Sequence, residues 1–258
     1  PSSAQASSAP VVPGAFEEAL PAGFELVYED DFKGGPLNAF WETGRESKDL
    51  RFERRDFVRL TKAPSGPGQE EFKASVLTLQ ARSPSSAGAT APQETAILTR
   101  FIELRAGGGG RVEFGACSPR AQGRVEYGMQ VQDESGKVVF DRGFSAEPAP
   151  GGKDFLIREI CSGEGGSIPS NYGVQQRPHL VGQQLALVLA CQGKGAAATI
   201  RPDHGRTDYE EPNLPASKGI GHVTVVVSAG LRLRFYAKAY PGASIDWYLD
   251  RCRVSRTI

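Results

Sequence analysis

Three consecutive carboxylates end an apolar run near the start of the chain. The stretch FELVYEDDFKGG, residues 24–35, places Glu29, Asp30 and Asp31 before an aromatic residue and two glycines. Such a cluster has three interpretations: acids for catalysis, oxygen ligands for calcium, or carboxylates that are solvated or hydrogen-bonded locally at a strand end. Because the chain contains no Asp-x-Asp-x-Asp-Gly loop, we expect the third.

Two tyrosines lie where a ligand could reach them. Tyr172 in SIPSNYG and Tyr209 in RTDYEEPN belong to segments of loop-like composition. Loops between strands are where binding surfaces are commonly built. The sequence therefore indicates both as ligand-binding residues.

The composition indicates that β-strands position these residues. The 258 residues include 31 Gly, 18 Pro and a single Met, which suits many short strands joined by turns better than long helices. Apolar and polar residues alternate most clearly over residues 50–60 and 76–81, as expected for half-buried strands. Counting the segments between turn residues predicts about twelve strands.

Three segments do not have the composition of strands, and two other segments resemble each other. Residues 83–94, 146–154 and 201–221 have the composition of loops. The segments GGRVEFGACSP and QGRVEYGMQVQ resemble each other, which predicts two adjacent strands of a hairpin rather than a repeat architecture.

The domain organisation is predicted to be simple. Residues 1–20, rich in Pro, Ser and Ala, are expected to be a disordered tail or linker, as follows a removed signal peptide or lipid anchor; a cloning boundary is the alternative. Residues 21–258 are expected to form one β-sandwich domain.

Charge and hydropathy exclude two classes of partner. Lys+Arg and Asp+Glu both number 30, so the chain has no overall field that attracts nucleic acid or an anionic membrane surface. No apolar run approaches the roughly 18 residues of a membrane helix. We therefore expect no nucleic-acid partner and no membrane span.

The four cysteines, Cys117, Cys161, Cys191 and Cys252, form no Cys-x-x-Cys pair, which argues against a structural zinc site. We expect at least one disulfide, in keeping with a secreted, periplasmic or cell-surface location. For full oxidation three pairings remain open.

The order of these features resembles a known family. FELVYEDDFKGG followed by LNAFW resembles the opening of concanavalin-A-like jelly-roll enzymes, the laminarinase-type glycoside hydrolases of family sixteen. SVLTLQAR and GGRVEFGA resemble the next strands of that family, and IDWYLDRCRV resembles its closing strand. The resemblance implies an all-β, concanavalin-A-like jelly-roll sandwich of two antiparallel sheets that acts on polysaccharide. It also places Trp41 and Trp247 at core positions, so we predict that both are buried.

The family's catalytic signature, Glu-x-Asp-x-x-Glu, is missing from the chain. Retaining hydrolysis needs two carboxyl groups about 5 Å apart, which one strand supplies by alternate side chains on one face. Glu126 lies on a predicted strand, but its same-face neighbours there are Gly128 and Gln130. Neither can protonate a leaving group, so hydrolysis of the family's type is not expected.

A second resemblance is to alginate-lyase-type polysaccharide lyases, which carry an Arg-rich strand, a Gln-apolar-His strand and a Tyr/Lys-rich strand in that order. RFIELR, QVQ and FYAKAY occur here in the same order. The resemblance implies Arg100, Gln130, Lys238 and Tyr240 as catalytic residues of a β-elimination. Gln132 stands where the family has its histidine base, so a loop histidine would have to replace it.

Asp246 in IDWYLDRCRV matches a residue that often binds a structural calcium ion in the laminarinase-like family. The resemblance therefore implies calcium at Asp246, with backbone carbonyls as further ligands.

The leading hypothesis is an exported carbohydrate-binding protein on a glucanase-like jelly roll without the hydrolytic carboxylate pair. The alternatives are a polysaccharide lyase acting on a uronate-containing polymer, and a structural or adhesion domain that binds a protein partner.

Overall fold

A computed structural model of the chain describes residues 20, 22–33, 40–42, 49–63, 66–85, 90–103, 109–151, 155–163, 166–167, 183–191, 197–204, 223–226 and 230–258. The predicted tail lies outside these residues except for residue 20, and so do Tyr172 and Tyr209.

All elements with described bounds are β-strands. They are β1 (Phe24–Asp30), β2 (Trp41–Glu42), β3 (Leu50–Ala63), β4 (Gly66–Arg82), β5 (Gln93–Thr99), β6 (Ile102–Glu103), β7 (Gly109–Gln122), β8 (Val125–Gln132), β9 (Val138–Pro148), β10 (Phe155–Gly163), β11 (Gly166–Ser167), β12 (Gln183–Cys191), β13 (Ala197–His204), β14 (Val223–Val226), β15 (Gly230–Ala239) and β16 (Ser244–Thr257).

The strands form two sheets, and every described pairing is antiparallel. The first sheet has the order β14-β13-β12-β7-β16-β4-β3, with β1 also paired to β16. The second sheet has the order β11-β10-β9-β8-β15-β5-β2, with β6 also paired to β15. The predicted all-β jelly-roll sandwich of two antiparallel sheets is confirmed.

Alternation along the strands builds one apolar core between the sheets. On β15 the inward residues, from Leu231 through Phe235 to Ala239, are fully buried. Aromatic contacts join the layers: the ring centroids of Phe114 and Phe235 lie 5.1 Å apart, and those of Tyr127 and Trp247 lie 5.6 Å apart. The alternate residues on β15 therefore project from the outer face of the second sheet.

Both tryptophans are buried, as predicted, with 5% of Trp41 and none of Trp247 exposed. Trp41 also explains the acidic triplet. Its indole Nε1 donates to Asp30 Oδ2 at 3.1 Å, and the backbone N–H of Phe32 donates to Asp30 Oδ1 at 2.8 Å. Asp31 pairs with Lys33. The local hydrogen-bonding interpretation is therefore correct for both aspartates.

The predicted hairpin of the two similar segments is wrong, because β7 belongs to the first sheet and β8 to the second. The chain passes between the sheets at Gly123, whose φ of +75° favours glycine. A Cβ there would lie 2.8 Å from the Cβ of Ala243. The similarity reflects equivalent positions in two sheets rather than hydrogen-bonded neighbours.

The strand count and three loop boundaries also differ from the prediction, since β5 already begins at Gln93 inside the loop predicted for residues 83–94. Three of the additional strands, β2, β6 and β11, have only two residues each, too few for an alternation pattern. The predicted loop from residue 201 overlaps β13, which continues to His204, and β9 continues to Pro148. Pro and charged residues concealed both strand ends.

Cys252 is buried and free, and burial raises the pKa of its thiol. The side chains of the other three cysteines lie outside the described part, so a disulfide among them stays a prediction. No helix with the length and apolar character of a membrane span occurs among the described residues.

Candidate functional site

The outer face of the second sheet carries a row of charged side chains across three strands. In the strand register, Lys238 on β15 lies opposite Glu94 on β5 and opposite Glu126 on β8. Lys238 Nζ donates to Glu126 Oε2 at 3.1 Å and lies 4.0 Å from Glu94 Oε2. One ammonium group therefore bridges two carboxylates that are far apart in sequence.

A second row lies at Arg234, four residues before Lys238 on β15. Arg234 is opposite Leu98 on β5 and Gln130 on β8, and Gln130 is opposite Asp141 on β9. The guanidinium of Arg234 donates to Gln130 Oε1 at 3.0 Å, and Gln130 Nε2 donates to Asp141 Oδ2 at 2.8 Å. This row is a hydrogen-bonded chain from β15 to β9.

Glu94 joins the two rows. Its Oε1 accepts a hydrogen bond from Arg234, while its Oε2 faces Lys238. At the far end of the first row, Tyr240 donates to Glu126 Oε1 at 2.6 Å. The rows therefore form one connected set of polar side chains.

Between the rows lies Tyr236, flanked by small residues. Its register partners are Ala96 on β5 and Gly128 on β8, and Gly128 in turn is opposite Gly143 on β9. The phenol reaches past β8 and donates to Asp141 Oδ1 at 3.1 Å. Only 2% of Tyr236 is exposed.

We call this set the outer-face network. Its members are Glu94, Glu126, Gln130, Asp141, Arg234, Tyr236, Lys238 and Tyr240.

Burial shifts the pKa values of several members. Burial raises the pKa of Asp141, although hydrogen bonds from Gln130 and Tyr236 oppose the shift. Burial, and then the nearby charge of Asp141, raises the pKa of Tyr236. Burial lowers the pKa of Lys238, but the hydrogen bond and charge of Glu126 outweigh it, so the net shift is upward. The ammonium is therefore charged at neutral pH.

The pKa of Tyr240 is also raised, by burial first and then by its hydrogen bond to Glu126. Arg124 covers one face of the ring, with its guanidinium carbon 4.1 Å from the ring centroid. The phenol is therefore protonated at neutral pH, and it is held in place by two contacts.

Three of the four residues implied by the lyase resemblance, Gln130, Lys238 and Tyr240, belong to the network. The fourth, Arg100, lies just after β5 with an exposed side chain. Its backbone N–H donates to the carbonyl of Phe40 at 2.6 Å. No described contact connects Arg100 to the network, so sequence order did not predict its position relative to the other three.

Asp246 lies on the first sheet, away from the network. Its Oδ1 accepts hydrogen bonds from Gln80 Nε2 at 2.8 Å and from Arg82 Nη2 at 3.0 Å. A guanidinium and an amide N–H group repel a cation, so the described surroundings do not fit a calcium site. No group of three or more His, Cys, Asp or Glu side chains in the described part could hold a metal ion.

Four members of the network were not predicted from the sequence: Glu94, Asp141, Arg234 and Tyr236. The alternation in LRLRFYAKAY places Arg234 and Tyr236 on the same face as Lys238, and this signal was sufficient to find both. Glu94 was assigned to a loop, although β5 already begins at Gln93. Asp141 follows a register shift between β8 and β9, which breaks the alternation that would have identified it.

No protein-family model matches the sequence, and no curated protein sequence matches it either. Several solved structures share the general arrangement. A family 16 glycosyl hydrolase from Mycobacterium smegmatis is 13% identical, with a TM-score of 0.36, over 89% of this chain and 100% of that chain.

Two further structures match in the same way. The CBM2 module of the evolved Dit of Lactobacillus casei BL23 phage J-1 is 12% identical, with a TM-score of 0.43, over 90% of this chain and 96% of that chain. A family 7 alginate lyase variant in complex with product is 9% identical, with a TM-score of 0.38, over 76% of this chain and 83% of that chain.

These neighbours include both classes of enzyme named in the sequence resemblances. Since these TM-scores lie below 0.5, they assign this chain to no family and carry no argument about its activity.

Proposed function

We propose that the outer face of the second sheet binds a glycan, and that the outer-face network is the binding surface. The observation that supports this proposal is that hydrogen bonds and one ion pair, between Lys238 and Glu94, connect eight polar side chains from β5 to β9. Export and a disulfide stay predictions from the sequence, whereas calcium at Asp246 is not proposed, because an amide and a guanidinium donate to that carboxylate.

The network has the chemical groups that sugar hydroxyls require. A hydroxyl both donates and accepts, and it is best met by planar groups such as carboxylates, amides and guanidinium groups. Here each of these groups is held by a neighbour, as Gln130 is held between Arg234 and Asp141. Fixed side chains lose little conformational entropy when a ligand binds.

The network also opposes hydrolysis in its present state. Lys238 lies 3.1 Å from Glu126 and 4.0 Å from Glu94. The two carboxylate oxygens are thus at most about 7 Å apart, compared with about 5 Å in retaining and 6.5–9.5 Å in inverting glycosidases. Both carboxylates are paired with the Lys238 ammonium, which a substrate would first have to displace. Binding without cleavage is therefore the better assignment.

The test of the proposal is retardation of the protein in gels that contain polysaccharides. A panel of neutral and anionic polymers would be compared, with release of reducing ends measured in parallel. We expect retardation by at least one polymer and no reducing ends. If no polymer retards the protein, the glycan-binding proposal is wrong, and the adhesion-domain hypothesis replaces it.

A matched pair of tyrosine variants would locate the surface. Tyr240→Phe removes the hydroxyl that bonds Glu126 but keeps the ring. We expect about 5-fold weaker binding, as for the loss of one hydrogen bond of ordinary strength. Tyr248→Phe removes a hydroxyl that bonds Arg55 on the other sheet, and it should leave affinity unchanged. Equal effects of both variants would place the binding surface elsewhere.

The second candidate function is a polysaccharide lyase, and one observation favours it. Gln130, Lys238 and Tyr240 lie on one face, so an amide and an ammonium could meet a uronate carboxylate. The C5 proton would pass to Glu126, the hydrogen-bond partner of Tyr240, while the phenol protonates the leaving oxygen. Lys238 is already paired with Glu126, which is why this candidate ranks second. An unsaturated product that absorbs ultraviolet light would establish it, and its loss in Tyr240→Phe would confirm the role of the phenol.

A further inference from the structure

The charges at the centre of the outer-face network compensate one another. Arg234 pairs with Glu94, and Lys238 pairs with Glu126, with side-chain exposures of only 16% for Arg234 and 27% for Lys238. At the margin, Arg232 lies 3.5 Å from Glu42. Each described cation on β15 therefore already has a carboxylate partner.

Negative charge exceeds positive charge among the central side chains. Glu94, Glu126 and Asp141 contribute three carboxyl groups, whereas Arg234 and Lys238 contribute two cations. The raised pKa of Asp141 agrees with this picture, because burial there disfavours a negative charge. An additional carboxylate or sulfate from a ligand would meet repulsion as well as the cost of losing its own hydration.

An anionic ligand would also have to displace an existing partner. To reach Arg234 it must break the half-buried pair with Glu94, and that carboxylate would then lose its guanidinium. Truncating one side of such a pair costs more than a new pair at the surface returns. The outlying arginines, Arg100 and Arg124, are exposed, and ion pairs of exposed arginines contribute little.

Sugar hydroxyl groups carry no charge, so they meet no repulsion and need not displace an existing partner. A carboxylate has about four lone-pair sites, and each oxygen of Glu94, Glu126 and Asp141 accepts at most one described hydrogen bond inside the network. The remaining sites can accept hydrogen bonds from sugar hydroxyls without any change of charge.

We propose that the ligand of the outer-face network is a neutral glycan, without uronate or sulfate groups, because the central cations of the face are already paired with carboxylates. This inference rests on the proposed glycan-binding function.

The experiment compares polymers that differ in charge but keep the same linkage. Alginate and polygalacturonate would each be used as the parent acid and after reduction of the carboxyl groups to alcohols, together with neutral glucans, mannans and galactans. Affinity would be measured by titration calorimetry at low and at high sodium chloride. We expect at least about 10-fold tighter binding to a neutral polymer than to any uronate parent, with little salt dependence.

A variant sharpens the comparison. Glu94→Gln leaves Arg234 and Lys238 with less compensating charge, so it should gain affinity for the uronate parents, and this gain should weaken at high salt. Glu53→Gln on the first sheet is the matched control and should not gain such affinity. If Glu94→Gln does not fold, the comparison of polymers with the wild-type protein still decides.

The outcomes separate this inference from the proposed function. Equal or tighter binding to a uronate parent, lost at high salt, would overturn the neutral-ligand inference but keep glycan binding. Absence of binding to every polymer, neutral and acidic, would overturn the proposed function itself.

Discussion

The outer faces of the two sheets carry similar residues that are connected differently. On the first sheet Tyr248 accepts a hydrogen bond from Arg55, while Asp246 accepts bonds from Gln80 and Arg82. Arg55 also pairs with Glu53, and Arg82 is 54% exposed. These contacts stabilise neighbouring strands locally.

On the second sheet the same kinds of groups form one network over four strands. Glu94 connects the row of Arg234 with the row of Lys238, and the side chains of the network are less exposed than Arg82. Residue type alone therefore does not mark a functional face. What distinguishes the second sheet is that its polar groups fix one another across four strands, and fixed groups are the condition for preorganised recognition.

The largest expected difference between the two faces concerns their arginines. Arg234→Met leaves Glu94 and Gln130 without their shared donor in a half-buried environment. We expect the free energy of unfolding to fall by about 2 kcal/mol, the usual cost of losing hydrogen bonds to a charged group. Urea unfolding at neutral pH would measure it.

Arg82→Met is the matched change on the first sheet. Its partner Asp246 keeps the hydrogen bond from Gln80, and an exposed pair contributes about 0–1 kcal/mol. Similar losses for both variants would show that the connected network has no energetic advantage over separate pairs.

Lys238→Met tests the bridge between two carboxylates and should have the next largest effect. Without the ammonium, Glu94 and Glu126 repel each other across at most about 7 Å, which corresponds to about 1–2 kcal/mol near a protein surface. Salt screens this repulsion. The loss of stability in the variant should therefore become smaller at high sodium chloride.

The control for this change is Lys73→Met on the first sheet, where Lys73 lies 3.5 Å from Asp56 and both side chains are more than half exposed. It should change stability by less than about 0.5 kcal/mol. Urea unfolding would be compared at low and at high sodium chloride. A salt-independent loss in Lys238→Met would mean that the alkyl chain, rather than the charge, supports the site.

The fold was predictable because its signal is local. Alternation in residues 76–81 and in LRLRFYAKAY identifies strands with one buried face, and this information does not depend on the partner strand. The pairing itself is different. The similar sequences of β7 and β8 gave no sign that the two strands lie in different sheets, because the short turn at Gly123 can either close a hairpin or pass to the other layer.

The site was predictable only in part for the same reason. Gln130, Lys238 and Tyr240 were identified, but their joint function depends on register. Lys238 meets Glu94 and Glu126 because β15 lies between β5 and β8, an order that the sequence does not contain. On β8 the same-face neighbours of Glu126 are Gly128 and Gln130. The second carboxylate, Glu94, lies two strands away on β5.

The smallest expected effect compares two aspartates near the turn between β8 and β9. Burial raises the pKa of Asp141, whereas a hydrogen bond from Ser135 is the main cause that lowers the pKa of Asp133. As pH falls from 7 towards the usual Asp pKa of about 4, the folded protein protonates Asp141 before the unfolded chain does, so this group adds stability on acidification. Asp133 stays ionised longer in the folded state, so it removes stability over the same range.

Asp141→Asn should therefore abolish a gain of stability on acidification, which is less than about 1 kcal/mol. Asp133→Asn should abolish a loss of stability over the same pH range. The measurement is the difference between the free energies of unfolding at pH 7 and near pH 4.5 for each variant and the wild type. If the two variants change this difference in opposite directions relative to the wild type, the centre of the outer-face network disfavours negative charge. The neutral-ligand inference requires this result. The same sign for both variants would mean that Asp141 is as well solvated as a turn residue, and the charge argument for a neutral glycan would lose its support.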